Sequence, residues 1–441
     1  MCIRDRDTAD TFLAVEFAAK LPATGHARFF LQEGRGGERP SGAAESAAHQ
    51  PVVVDGHEIT NGLVRVRLAG NGTFDLIDAR TGRVYAGLNL LEDTGDVGDE
   101  YDYSLAPGSA PVVASGCEGG VRVVRSSHLS AVLAAEFELR LPFEALPDRT
   151  GRGVESTSCA VEVRLELRAG SPVVRVETRF DNRVRDHRLR TRFPTGLDVD
   201  HFWSDGHFMV NRRPVDPPGG DGWVQPPPGT SPQQGFSLAQ DADGGLAVLN
   251  RGLPEIEAHR GADGGVELAL TLLRCVGWLS RDDFDSRRRS NAGPTLYTPE
   301  AQCAGSHAFR YAVLPFAGDF LDADVMRESR RYRVGVPTVQ GVLGGGVPGG
   351  TALIRQETGR ATVTAIKRHR ARDTLVVRMF NPCGTSISET LTSDLSIEGA
   401  WRTDLLEERE TPEPVTDGSL TVSLGPHEIV TLELEVSVSD R

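Results

Sequence analysis

The sequence predicts an all-β chain built from packed sheets, and three observations carry that expectation. Apolar and polar residues alternate in Val64-Arg-Val-Arg-Leu68, Val161-Glu-Val-Arg-Leu-Glu-Leu-Arg168, Val174-Arg-Val-Glu177 and Leu432-Glu-Leu-Glu-Val-Ser-Val438, so each turns one face to a core and one to water. Turn signals separate such stretches: Asn71-Gly72, Thr81-Gly82, Asp243-Gly-Gly245 and Asp417-Gly418, where glycine takes positive φ at little steric cost. No βαβ rhythm appears, although a parallel barrel would need one.

In chain order, residues 1–50 hold a strand-like Thr11-Phe-Leu-Ala-Val-Glu-Phe17 followed by a Gly, Ala, Ser and Glu-rich stretch at 34–50. They read as the remnant of a small β-domain plus a flexible linker. Residues 51–335 form a block too large for one ordinary sandwich, which suggests two extended sheets face to face. Its one helical candidate is 322–332, acidic at the start and arginine-rich at the end, as a helix dipole favours. A Gly-rich linker at 336–350 then leads to a smaller terminal sandwich at 351–441. Strand pattern begins so soon after Met1 that residues 1–6 are expected to be a scar on a truncated reading frame.

Composition narrows the function. Net charge is −14 over 441 residues and no long basic tract exists, so a surface that tracks phosphates is not expected, nor is nucleic acid. Six cysteines lie scattered without CxxC spacing, which suits mostly reduced, buried thiols. No apolar run of about 18 residues predicts a membrane helix. The opening residues lack the apolar core of a secretory signal, and a cytoplasmic location is expected.

The densest chemistry lies at Gly95-Asp-Val-Gly-Asp-Glu-Tyr-Asp-Tyr-Ser104, which gathers Asp96, Asp99, Glu100 and Asp102 with Tyr101 and Tyr103. Carboxylates accept hydrogen bonds from sugar hydroxyls, and tyrosine adds a flat apolar face with a polar tip. A solvated acidic turn, or one binding a cation, fits the same residues, although the spacing is not that of an EF-hand. The charges of Asp181-Asn-Arg-Val-Arg-Asp-His-Arg-Leu-Arg190 read as a rim network on a hairpin. His201 and His207 have no further ligand at metal-site spacing. Leu273-Arg-Cys-Val-Gly-Trp-Leu-Ser-Arg-Asp-Asp283 is either a cationic, aromatic clamp for a sugar or a carboxylate, or a core tryptophan among solvated charges.

The order of motifs resembles the C-terminal half of glycoside hydrolase family 38, which contains α-mannosidases and mannosylglycerate hydrolases. The series runs Asn71-Gly-Thr73, Leu91-Glu-Asp93, Gly98-Asp-Glu-Tyr-Asp-Tyr103, Asp186-His-Arg-Leu-Arg190, Asn250-Arg-Gly-Leu-Pro-Glu255, and Leu273-Arg274 with Leu279-Ser-Arg281. Val377-Arg-Met-Phe-Asn-Pro382, Asp404-Leu-Leu-Glu407 and Leu424-Gly-Pro-His-Glu-Ile-Val-Thr-Leu432 are similar to its last β-domain. The resemblance implies a galactose mutarotase-like supersandwich followed by a smaller β-sandwich. For the complete enzyme it implies retaining hydrolysis of an α-mannoside, with zinc and the catalytic aspartates on a preceding barrel that this chain lacks. Tyr101 is then the leading substrate contact, with Asp99, Arg274, Arg281 and Asp282 lining the outer site.

On that reading the chain alone is inactive, its partners being an α-mannoside and the barrel of the same enzyme. No zinc ligand is expected in it. An exposed barrel-facing surface would favour self-association into a homo-oligomer. The alternatives are a carbohydrate-binding or scaffold module, or a mutarotase-like epimerase using His187 beside Asp186.

Overall fold

The computed structural model describes residues 50–223, 225, 227–284, 287–288, 291–338 and 350–437, with short stretches before them at 2–4, 12–14, 16–17, 19, 21 and 27. Most of both expected linkers, 34–50 and 336–350, lies outside these residues. Two compact units emerge: 49–206 with 211–335, and 1–48 with 207–210 and 336–441.

The larger unit contains sheets of five, six and nine strands and a two-stranded ribbon pairing Asp283–Phe284 with Arg287–Arg288. Five short strands, Val53–Asp55, Glu58–Thr60, Val64–Leu68, Phe74–Asp78 and Val84–Leu88, follow one another as a meander. Leu90–Gly95 then enters a six-stranded sheet, ordered Thr230–Pro232, Glu255–Arg260, Val266–Cys275, His187–Pro194, Leu90–Gly95, Val112–Val113. A nine-stranded sheet has the long strands Ser130–Pro142, Ser156–Arg168, Val174–Asn182 and Gly305–Ala317 near its middle. The alternation read from sequence is realised in the buried and exposed pattern of Val64–Leu68 and Ser156–Arg168. One continuous core joins Leu68 and Phe74 of the first sheet to Leu189 and Leu270 of the second and Leu133 and Val163 of the third.

A polar junction sits where the five-, six- and nine-stranded sheets meet. Asn89, at φ 68°, joins the meander to the six-stranded sheet in a left-handed conformation that asparagine tolerates better than most residues. Its Oδ1 accepts from Tyr311 Oη at 2.6 Å and Thr191 Oγ1 at 2.9 Å, and its Nδ2 donates to the Gly72 carbonyl at 2.9 Å. Asn89, Thr191 and Tyr311 are fully buried, so every one of these bonds replaces water that cannot enter. Gly72 admits no side chain, because a Cβ there would lie 2.8 Å from both Phe137 and Val163.

One expectation is corrected. Residues 181–190 are no hairpin: Val174–Asn182 belongs to the nine-stranded sheet and His187–Pro194 to the six-stranded one. The turn between them crosses from sheet to sheet, with Asp186 at φ 49° and the Asn182 side chain donating to the Cys303 carbonyl at 3.0 Å. The helix forms at Val325–Arg333, with Arg330, Arg331 and Arg333 in its last turn. Among the described residues no helix is long and apolar enough to cross a membrane. Cys159 and Cys275 are buried and Cys117, Cys303 and Cys383 half-buried, and these five form no disulfide.

The second unit is a sandwich of four and five strands around Val377, Leu391, Val422 and Leu432. On its five-stranded sheet Glu433 is fully buried and accepts from Arg372, Arg409 and Thr374. Although burial opposes ionisation, those hydrogen bonds hold the carboxyl down at about 2, against an ordinary 4.5.

Two outcomes follow from these networks. A folded value below the unfolded one means that Glu433 contributes stability above pH 4.5 and loses it as pH falls toward 2. Thermal melts across that window are expected to show a flatter pH dependence in Glu433→Gln, and a parallel decline in both proteins would refute the assignment. Tyr311→Phe leaves Asn89 short of a donor, and denaturant unfolding is expected to show a loss of about 1–3 kcal/mol.

Candidate functional site

Loop 95–104 leaves the end of the strand Leu90–Gly95, and Asp96 pairs back with Leu105 as an isolated bridge. Between them the chain reverses tightly. The Val97 N–H donates to the Ser104 carbonyl at 2.8 Å and the Asp99 N–H to the Asp102 carbonyl at 3.0 Å. Glycine is required at 98, because a Cβ there would lie 2.0 Å from the Asp102 carbonyl oxygen.

Two buried carboxylates organise the loop from inside. Asp96 Oδ1 accepts the N–H groups of Gly98 and Ser104 at 2.9 and 3.1 Å, and Oδ2 accepts Arg274 Nε at 2.9 Å. Burial pushes the Asp96 carboxyl up, opposed by Arg274 and the two N–H groups. Asp99 Oδ1 accepts the N–H groups of Tyr101 and Asp102 at 3.0 and 2.9 Å. Its Oδ2 takes the Arg281 N–H at 2.8 Å and Arg287 Nη1 at 2.5 Å. Arg287 also pairs with Asp102, which accepts Gln225 Nε2 at 2.7 Å. Arg274 Nη2 adds a bond to the Asp99 carbonyl at 2.8 Å.

The two tyrosines end up in different places. Tyr103 is half-buried, with its Oη 3.1 Å from Thr94 Oγ1 and its ring centre 3.4 Å from the Arg188 guanidinium; burial raises its phenol. Tyr101 is 53% exposed, with the Arg287 guanidinium 5.7 Å from its ring. It lies against Gly293, whose N–H and that of Ala292 donate to Ser280 Oγ at 3.1 and 2.9 Å. Its ring is thus supported from below and open above.

A second aromatic surface adjoins it. The Trp278 and Tyr297 rings are 5.4 Å apart, and the Arg281 guanidinium stands 4.9 Å from Trp278. Arg281 Nε donates to Asp283 Oδ1 at 2.8 Å, a bond that holds the Asp283 carboxyl below its usual range. Arg149 bridges Asp283 at 2.9 Å and the Gly98 carbonyl at 3.2 Å, tying this rim to the loop. Flat faces with polar tips at solvent suit a ligand with hydroxyl groups and apolar C–H surfaces.

Of the residues proposed from sequence, Tyr101 alone presents an open face. Asp99 is fully buried and holds the backbone that carries Tyr101. Arg274 fixes the loop through Asp96, Arg281 contributes its backbone N–H and a stacked guanidinium, and Asp282 is exposed, outside this set of bonds. Arg287 and Gln225 were not anticipated. Arg287 sits in the charged run Asp285-Ser-Arg-Arg-Arg289, whose composition gives no register.

The epimerase pair is corrected. His187 is fully buried, with Nδ1 2.5 Å from Asp93 and Nε2 3.1 Å from Asn182, while Asp186 accepts Gln302 Nε2 at 2.7 Å. Arg152 Nη2 lies 2.6 Å from Asp93 Oδ1, a pairing by charge without hydrogen-bond direction. This cluster belongs to the interior, so His187 is not placed to touch a sugar. Among the described residues no group of three or more His, Cys, Asp or Glu is placed to hold a metal ion.

Comparison with known proteins adds the lineage. Residues 59–284 match the glycosyl hydrolases family 38 C-terminal domain, and residues 360–432 match the family 38 C-terminal beta sandwich domain. A Halalkalibacterium halodurans protein assigned as a mannosylglycerate hydrolase is 28% identical over 86% of this chain and 41% of its own length. Mouse alpha-mannosidase 2C1 is 24% identical over 87% of this chain and 35% of its own. An Enterococcus faecalis alpha-mannosidase structure shares the fold with a TM-score of 0.76 at 24% identity, over 87% of this chain and 43% of that one. The chain therefore spans about two fifths of the length of these relatives.

Asp99→Ala would leave Arg287 and three N–H groups without their acceptor. Removing one partner of a buried ion pair costs about 3–5 kcal/mol, so denaturant unfolding is expected to show a loss of that order, with faster amide exchange at 99–103. An unchanged midpoint would refute the role given to Asp99.

Proposed function

The chain belongs to glycosyl hydrolase family 38, and we propose that it forms a sugar-contacting wall for hydrolysis of an α-mannoside, mannosylglycerate being one candidate. The exposed Tyr101 ring, seated on a buried carboxylate clamp, is the observation that carries this reading.

The same geometry argues against chemistry on the loop itself. Glycoside hydrolysis needs two carboxyl groups that reach the glycosidic bond, one to donate a proton and one to attack or activate water. Asp96 and Asp99 are sealed from solvent and already accept from guanidinium and backbone N–H groups. Asp102 is engaged by Arg287 and Gln225. Three of the four carboxylates therefore act as internal anchors. On this proposal the acid, the nucleophile and any zinc stand on residues outside the described sheets, and this chain binds and orients the mannoside while excluding water from one side.

Titrating methyl α-mannoside while following tryptophan fluorescence is expected to give a saturable change, because Trp278 adjoins the loop. Losing one aromatic contact of about 0.5–1.5 kcal/mol should make Tyr101→Ala roughly two- to twelvefold weaker with its melting temperature kept. No saturable change in the parent protein would refute the contact. Pure chain is expected to leave 4-nitrophenyl α-mannoside intact with or without added zinc, and turnover would overturn the division of labour.

A further inference from the structure

The strand His187–Pro194 points Arg188, Arg190 and Arg192 to the side of the six-stranded sheet opposite Leu189 and Phe193 of the core. Two of these arginines are fully matched by carboxylates. Arg190 donates to Glu92 at 2.6 Å and also pairs with Glu257, while Arg192 donates to Glu267 at 2.7 Å and to Glu92 at 3.0 Å.

Arg188 is not matched in this way. Its side chain is only 5% exposed, yet the nearest carboxylate oxygen, Glu255 Oε1, stands 4.0 Å away and already accepts Thr271 Oγ1 at 2.6 Å. Its Nε is buried without a hydrogen-bond partner among the described residues. What Arg188 does have is orientation, since the Tyr103 ring covers the guanidinium at 3.4 Å and Thr94 fixes the Tyr103 hydroxyl. A buried, unmatched guanidinium is costly, and a stacked one presents its edge as a planar fork for an oxyanion.

We propose that Arg188 is an oxyanion-binding residue, held by Tyr103 to receive a carboxylate or phosphate group on the ligand whose sugar meets Tyr101. This deepens the reading above and rests on it, because Tyr101 and Tyr103 belong to one loop. Arg188 would then make the site select acidic mannosides over neutral ones, by leaving a buried charge unpaired when the anion is missing.

Calorimetric titration of the full chain at low ionic strength with D-glycerate and with inorganic phosphate tests it. At least one ion is expected to saturate, and tighter glycerate binding would mark a carboxylate-bearing ligand, tighter phosphate binding a phosphorylated one. Arg188→Met, which keeps an unbranched apolar stem against Tyr103, is expected to bind the ion at least about tenfold more weakly, with methyl α-mannoside affinity within about twofold of the parent. Arg188→Lys keeps the charge and should show an intermediate loss, so it serves if the methionine variant fails to fold. Absence of saturation by both ions, or variants that bind as the parent does, would overturn the proposal. Ion binding that survives without mannoside binding would instead refute the sugar reading alone.

Discussion

The site depends on one buried charge, the Asp99 carboxylate. It sits inside a ten-residue loop yet accepts from four donors, two within the loop and two from the segment beyond Trp278. Coulombic attraction to Arg287 is strong in a water-poor setting, and it offsets the cost of burying the charges because hydrogen bonds occupy the remaining acceptor positions. The backbone that carries Tyr101 is thereby fixed from below while the ring stays at the surface. A carboxylate that looked available for chemistry is used to hold an aromatic face in place.

The sheets behind the loop give this clamp a rigid base. Asn89 binds groups from the five-, six- and nine-stranded sheets of the larger unit, so the strand Leu90–Gly95 enters the six-stranded sheet in one position. Arg274 on the neighbouring strand Val266–Cys275 then reaches Asp96 and the Asp99 carbonyl. Because Arg188 is the strand partner of Arg274, the same register brings an unmatched guanidinium beneath Tyr103. Packing, register and charge thus meet at one end of one sheet.

The fold was legible in the sequence where local rules suffice. Alternation gave the strands at 64–68 and 161–168, the second being the end of the longer Ser156–Arg168, glycine marked the turn at 72, and charge asymmetry located the helix close to Val325–Arg333. The cluster at 95–104 was legible as a place, and Tyr101 stood out in it only through the family resemblance, its exposure coming from the structure. Its wiring was not: Arg274, Arg281 and Arg287 lie 178, 182 and 188 residues from the aspartates they bind. No local periodicity encodes such pairings. Residues 181–190 misled for a related reason, since opposite charges close in sequence suggest a hairpin, whereas the chain there changes sheets and buries His187 and Arg188.

A crystal structure of the chain with methyl α-mannoside is the most direct measurement of the central claim, that a buried carboxylate clamp presents Tyr101 to a sugar. The pyranose is expected against the exposed Tyr101 ring, with Asp99 still bound to Arg287 and to the Arg281 N–H. A sugar bound away from the 95–104 loop, or Asp99 turned outward to take the sugar hydroxyls itself, would contradict it.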